Sequence, residues 1–149
     1  MSMTTEVRGL KELAETLRAM PQAVHDKVLR GAVSSAAAVM RKEAIQRAPV
    51  YTGSVSKGHP PPGTLKKAIY QVRITAECTP ILEVWAVTIA RGKGARNDAY
   101  YASMVEYGTV KMAARPFFRP AFEATKEGAA EAMRAYMDTH LPAALRQAA

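Results

Sequence analysis

The amino-acid sequence predicts an α+β fold, an antiparallel β-sheet packed against a long N-terminal helix and a C-terminal helix. Three observations carry this expectation. Apolar residues recur three and four apart near both ends of the chain, two short central stretches alternate with a period of two, and glycine and proline gather between these blocks. At 149 residues the chain has the length of one domain, so residues 1–149 are read as a single unit.

Val7 to Met20 places Leu10, Leu13, Ala14 and Leu17 on one helical face, and Pro21 interrupts it. Proline is tolerated in a first helical turn, so Pro21 opens a second helix that runs to about Arg47. Val24, Val28, Ala32, Ala36, Val39 and Met40 form its apolar face. The small residues from Gly31 to Ala38 allow a neighbouring element to approach closely. Ala48-Pro49 ends the helix, because a residue before proline is driven out of the helical region. From Pro49 to Gly63 breakers dominate, and a loop of that length suits a flexible segment that orders on a partner.

Tyr70, Val72 and Ile74 then alternate with Gln71, Arg73 and Thr75, a half-buried strand whose apolar face is the first set. Ile81 to Ile89 alternates too, with Ile81, Trp85, Val87 and Ile89 on one face and Leu82, Val84 and Ala86 on the other. Glu77-Cys78-Thr79-Pro80 reads as the hairpin turn between them, which makes the pair antiparallel. Arg91 to Asp98 is a second flexible, basic loop. Ala99 to Glu106 is helical or extended, Tyr107-Gly108-Thr109 is a turn, and the last helix runs from about Pro120 to His140. Phe122, Ala129, Met133, Tyr136 and Met137 give that helix its apolar face, and Pro142 stops or bends it.

Alanine supplies much of the apolar content, so the core must lean on few large side chains. No apolar run reaches the roughly 20 residues that cross a bilayer, and the first ten residues lack a signal-peptide core, so no membrane partner and synthesis in the cytoplasm are expected. Net charge is +8, and the excess lies centrally: residues 51–120 carry ten basic against four acidic side chains. Such a field attracts phosphate or pairs with acidic partner subunits.

Signals of chemistry are sparse. Cys78 stands alone, and His25, His59 and His140 fall in no metal-ligand spacing, so neither a metal nor a cofactor is expected. Gly53 to Gly58 mimics a phosphate-binding loop but continues with His59 and prolines where lysine and a helix belong. Glu106 has no second carboxylate nearby for acid–base work. The expectation is a protein that is not an enzyme. Tyr100, Tyr101, Tyr107, Phe117, Phe118 and Phe122, interleaved with Arg115 and Arg119, serve either as core anchors or as base-stacking groups.

Three motifs occur in order: Ala48-Pro49-Val50-Tyr51-Thr52-Gly53, then Tyr101 with Val105-Glu106-Tyr107-Gly108-Thr109, then Arg115-Pro116-Phe117-Phe118-Arg119-Pro120-Ala121. In this order they resemble the HK97 gp10-like family of phage proteins, known as tail-component or head–tail joining proteins. One departure is the insertion of Ser54 to Pro62 after Gly53. The resemblance implies a structural protein of the virion tail or neck. It would assemble with other neck and tail proteins, as a hexameric ring of its own copies around the channel through which DNA passes without sequence-specific binding. In isolation the chain would be monomeric. Pro49, Thr52, Gly53, Tyr101, Glu106, Gly108, Thr109, Arg115, Pro116, Phe117, Arg119 and Pro120 are the assembly residues that the motifs mark, and the loops 50–63 and 91–98 are the candidate contact surfaces.

Residue chemistry adds that Gly108 supplies a positive φ for a tight turn and that Glu106 pairs with Arg115 or Arg119, within the fold or across a subunit boundary, or is merely solvated. The other function class left open is sequence-independent nucleic-acid binding through Lys57, Lys66-Lys67 and Arg91 to Arg96.

Overall fold

Helix α1, Gln22–Arg47, runs up to the Ala48-Pro49 pair that the sequence marks as its end. Ala48 still donates its amide to the Ala44 carbonyl at 3.0 Å, and Pro49 has no amide with which to continue. The computed structural model describes residues 22–52, 60–80, 82–92 and 97–148. The helix read over Val7 to Met20 lies outside the described residues.

The long C-terminal helix α4, Phe118–Ala148, packs along α1 in the opposite direction. Tyr136 lies over Gly31, the Ser35 hydroxyl donates to the Ala132 carbonyl at 3.2 Å, and Gly128 faces Val39. The approach is as close as the small residues of α1 predict. A Cβ added at Gly31 would sit 2.1 Å from the Tyr136 ring. Val28, Ala32 and Met137 fill this end, flanked by Met133, Tyr136 and Leu141. At the opposite end Ala44, Ala48, Leu65, Ile69, Ala102 and Phe117 form the larger core, in which Phe117 and Leu65 are the bulkiest fully buried side chains. Alanine lines much of the rest, so these two anchors carry an outsized share of the apolar burial.

A short helix α2, Thr64–Ala68, precedes the sheet and was not legible as a helix. Gly63 enters it at φ 82°, and the Thr64 hydroxyl donates to the Pro61 carbonyl at 2.7 Å. Strand β1, Ile69–Arg73, then pairs antiparallel with β2, Trp85–Ile89, Ile69 opposite Ile89 and Arg73 opposite Trp85. The link between them is longer than the expected turn. A 3-10 turn spans Thr75–Glu77, and the reversal falls at Thr79 and Leu82, which exchange backbone bonds of 2.8 and 3.2 Å.

The face of β1 is inverted relative to the sequence expectation. Ile69, delivered by α2, is buried, so the period of two turns Gln71 and Arg73 towards α1 and leaves Tyr70 and Val72 exposed. Polar groups on the inner face are held by specific partners, although the buried Gln71 Oε1 has none among the described residues. The Gln71 amide donates to the Ser34 hydroxyl at 3.2 Å, and Arg73 is held by Glu83. In β2 the expected set Trp85, Val87 and Ile89 shares that inner face.

Three other expectations change. Helix α4 begins at Phe118, two residues before Pro120, which sits within the first turn where its missing amide costs nothing. It also continues through Pro142, which has no amide to donate to the Asp138 carbonyl one turn back. Phe122 lies on the outer side of α4, 48% exposed, and is not part of its buried face. No described helix is long and apolar enough to cross a membrane.

The α1–α4 contact generates a direct test. Gly31→Ala should destabilise the protein by about 1–3 kcal/mol through overpacking against Tyr136. The Gly31→Ala, Tyr136→Phe double variant should recover part of that loss, read as the midpoint of urea unfolding.

Candidate functional site

The motif residues from Tyr101 to Pro120 converge on one structure, a rigid tongue held to the start of α4. Its base is helix α3, Ala102–Tyr107. Ala99 donates to the Ala90 carbonyl and Ala102 to that of Ala99, each at 3.0 Å, which fixes α3 beside the end of β2. Tyr101 packs against the core, where burial pushes its phenol pKa up while a hydrogen bond with the Leu65 backbone opposes the rise.

Helix α3 ends at Gly108, whose amide donates to the Met104 carbonyl at 2.8 Å with φ at 78°. A Cβ there would also lie 2.8 Å from the Ala114 nitrogen, so both conformation and space require glycine. Thr109 and Met112 then exchange backbone bonds of 2.8 and 3.2 Å, and the Lys111 amide donates to the Thr109 hydroxyl at 3.3 Å. The Arg115 amide returns to the Val105 carbonyl at 2.8 Å. Residues 108–116 thus form a closed turn whose tip, Val110, is fully exposed, with Met112 and Tyr107 exposed beside it.

Glu106 joins the tongue to α4. Its Oε2 accepts the amides of Phe117 and Phe118 at 2.8 and 3.0 Å, and its Oε1 accepts that of Arg119 at 3.0 Å. A helix leaves its first amides without partners of its own, and α4 has no Ser, Thr, Asp or Asn at its start to receive them. Pro120 has no amide, and Ala121 donates to the Phe117 carbonyl at 3.2 Å. One distant carboxylate therefore completes the hydrogen bonding of the whole first turn. The ion pair expected with Arg115 or Arg119 is replaced by these backbone bonds. Arg119 acts on Glu106 through its charge, while its guanidinium lies 5.9 Å from the centre of the Tyr107 ring. Burial raises the Glu106 pKa, but the three amides and the Arg119 charge outweigh it and hold the carboxyl below its ordinary value.

The other motif residues are placed less tightly. Phe117 is a core anchor, Pro120 is half-buried, and Arg115 and Pro116 are exposed. Pro49 is half-buried next to core residue Ala48, Thr52 is exposed, and Gly53 lies outside the described residues. So do parts of both candidate contact loops, 53–59 and 93–96, together with Lys57 and His59. The ends of the 91–98 loop are tied down, since the Asp98 carboxylate accepts the Gly92 amide at 3.0 Å.

Two open clefts flank this framework. One, of about 190 Å³, lies between β2 and α3 and is lined by Val87, Ile89, Ser103, Glu106 and Phe118. The other, of about 270 Å³, lies at the far end of the hairpin among Asp26, Arg73, Cys78 and Glu83. The Glu83 side chain is 5% exposed and receives the Arg73 guanidinium through two bonds, Nη2–Oε2 at 2.8 Å, with the Trp85 indole at 3.0 Å and Arg30 at 3.8 Å. The Arg73 hydrogen bond dominates and lowers its pKa to about 2 against the opposing effect of burial. Sequence reading passed over this pair, although opposite charges at 73 and 83 flank the hairpin. The Cys78 sulfur serves the same link, bonded to the Ile74 carbonyl at 3.2 Å and the Val84 amide at 3.4 Å.

The Glu83 and Glu106 carboxylates are thus both held ionised below the ordinary carboxylate range, whereas a general acid or base works with a pKa near the operating pH. His140 is exposed and stacks on Tyr136 with ring centres 3.9 Å apart. Among the described residues no cluster of His, Cys, Asp and Glu is arranged to hold a metal ion. Set against known proteins, the chain matches no family model, no curated protein and no solved structure.

Two predictions come from the carboxylates. Glu106→Ala should cost about 1–2 kcal/mol, the loss of a charged helix cap, measured by urea unfolding at neutral pH. Because the folded pKa is depressed, the stabilisation by Glu106 is complete above its ordinary value of 4.5 and is lost as pH falls through the lower folded value. The stability gap between wild type and Glu106→Gln should therefore narrow below pH 4.5. Glu83 behaves in the same direction over a wider window, losing its contribution from about 4.5 down to about 2. In a Glu83→Gln variant that part of the acid sensitivity should be missing.

Proposed function

We propose that the protein is a structural component of a tailed phage or prophage virion, joining or completing the tail at the head–tail interface by ring assembly around the DNA channel. One observation carries the reading most strongly. The motif residues build a stiff, projecting tongue with an exposed apolar tip, and the carboxylate among them is committed to holding that tongue in place. A monomer that had no partner would gain nothing from a fully exposed Val110 beside an exposed Tyr107 and Met112. Assembly into a closed ring requires two different surfaces on each subunit, and a preformed protrusion is suited to be one of them.

The ordered motifs AP–TG, YE–GT and RPFFRP support the same reading. Its partners would be other neck and tail proteins and further copies of the chain in a hexameric ring, with DNA passing through the channel and the virion as its destination. A second reading, sequence-independent nucleic-acid binding, draws on the exposed cations Lys67, Arg91, Lys111, Arg115 and Arg119.

Mass by light scattering, on the protein alone and again with purified tails, separates the two. The assembly reading predicts a monomer alone and co-migration with tails. Failure to bind tails, together with DNA binding that weakens steeply with salt, would replace it with the nucleic-acid reading.

A further inference from the structure

The apolar tip of the tongue has no cover within its own chain. Val110 is 106% exposed, and Tyr107 and Met112 stand beside it at 70% and 42%. The tongue is also positively charged. Lys111, Arg115 and Arg119 are exposed on it or at its root, while Glu106, the nearby carboxylate, faces inward onto backbone amides. Whatever covers the tip must therefore offer a shallow apolar floor together with negative charge.

This chain carries such a surface on the outer side of α4. Its inner side, through Ala121, Thr125, Gly128 and Ala132, is turned towards α1 and the core. On the outer side Glu123, Glu127 and Glu131 recur four apart, all exposed, with Asp138 further along. Between Glu123 and Asp138 these four carboxylates outnumber the cations, Lys126 and Arg134. Ala124, Ala130 and Ala135 are exposed among them, so the floor between the carboxylates is low and apolar. Glu131 lies about 20 Å along α4 from Phe118, where the tongue is rooted, so the far part of this surface is well separated from the tongue's attachment.

We infer that the tongue of one copy seats on the outer face of α4 of a second copy, with Val110 and Met112 over the alanines and Lys111 and Arg115 between Glu127 and Glu131. The contact is heterologous, a different patch on each partner, which is the kind that closes into rings. Charge complementarity sets the orientation, and the closed turn of the tongue limits the entropy lost on docking. The inference rests on the self-assembly part of the proposed function and names the surfaces that meet.

The test uses two full-length single-cysteine proteins in a Cys78→Ser background, one Val110→Cys and the other Ala130→Cys. Because the cysteines are on different molecules, a mixed disulfide can form only between copies, and it requires the two Cα atoms to come within about 7 Å. Mild oxidation of the mixture at high protein concentration should give the heterodimer as the main covalent product, identified by intact mass. Adding Lys111→Glu and Arg115→Glu to the tongue protein should reduce it several-fold. Placing Glu127→Lys on the partner should restore it. A heterodimer no more abundant than that formed with an Arg41→Cys control on the exposed side of α1 overturns the contact. Protection of Val110→Cys by DNA, with no mixed disulfide, overturns it in favour of nucleic acid. A specific crosslink without co-migration with tails keeps the contact and removes the tail reading. Co-migration without the crosslink does the reverse.

Discussion

Three amides at the start of α4, those of Phe117, Phe118 and Arg119, have no acceptor in their own helix, and the Glu106 carboxylate takes all three. Much of the lower half of the molecule hangs on that arrangement. Phe117, the largest fully buried side chain, is positioned by the same turn of backbone that Glu106 holds. The tongue between the two partners is thereby closed at its root, and Gly108 permits the reversal that brings the chain back to Val105. An ordinary side-chain cap would stabilise the helix alone. A cap supplied from eleven to thirteen residues upstream also fixes the connecting segment in space.

The upper half depends on proximity between backbones. Gly31, Ser35, Gly128 and Ala132 let α1 and α4 approach until the Tyr136 ring covers Gly31. With alanine lining so much of the interior, the protein gains its packing from closeness more than from large side chains. The hairpin then lies on α1 through a mixed inner face, where Ile69, Val87 and Ile89 supply apolar contact and the Glu83 cluster anchors the far end. The two halves share α1 and α4, so the cap at one end and the crossing at the other act on the same pair of helices.

What the sequence made legible follows from how local each cause is. The end of α1 was readable because Pro49 acts on its immediate neighbour, and the close crossing because small residues cluster from Gly31 to Ala38. The turn at Gly108 was readable for the same reason, and its φ of 78° agrees. The inverted face of β1 was not, because which set of alternating residues faces inward is decided by Ser34 and Glu83, remote partners that accept from the Gln71 amide nitrogen and the Arg73 guanidinium. Glu106 was singled out, and Arg119 does act on it by charge, but the three backbone amides that bind it were not foreseen. Charge pairing is what a sequence displays, whereas orphan amides become visible only once a helix start is located. Phe122 was assigned to a buried face by periodicity, and the tongue tip at Val110 was overlooked because an exposed valine in a turn carries no motif.

The central claim is that one carboxylate organises the start of α4 and the tongue together, and amide hydrogen exchange tests it residue by residue. In the wild-type protein the amides of Phe117, Phe118, Arg119 and Arg115 should exchange slowly. In Glu106→Gln those four should speed up together by about tenfold or more, since 1.4 kcal/mol of lost protection corresponds to a factor of ten. Amides in the middle of α1 should be unchanged. Protection at Phe117 to Arg119 that survives the substitution, or a loss there that leaves Arg115 untouched, would contradict the account.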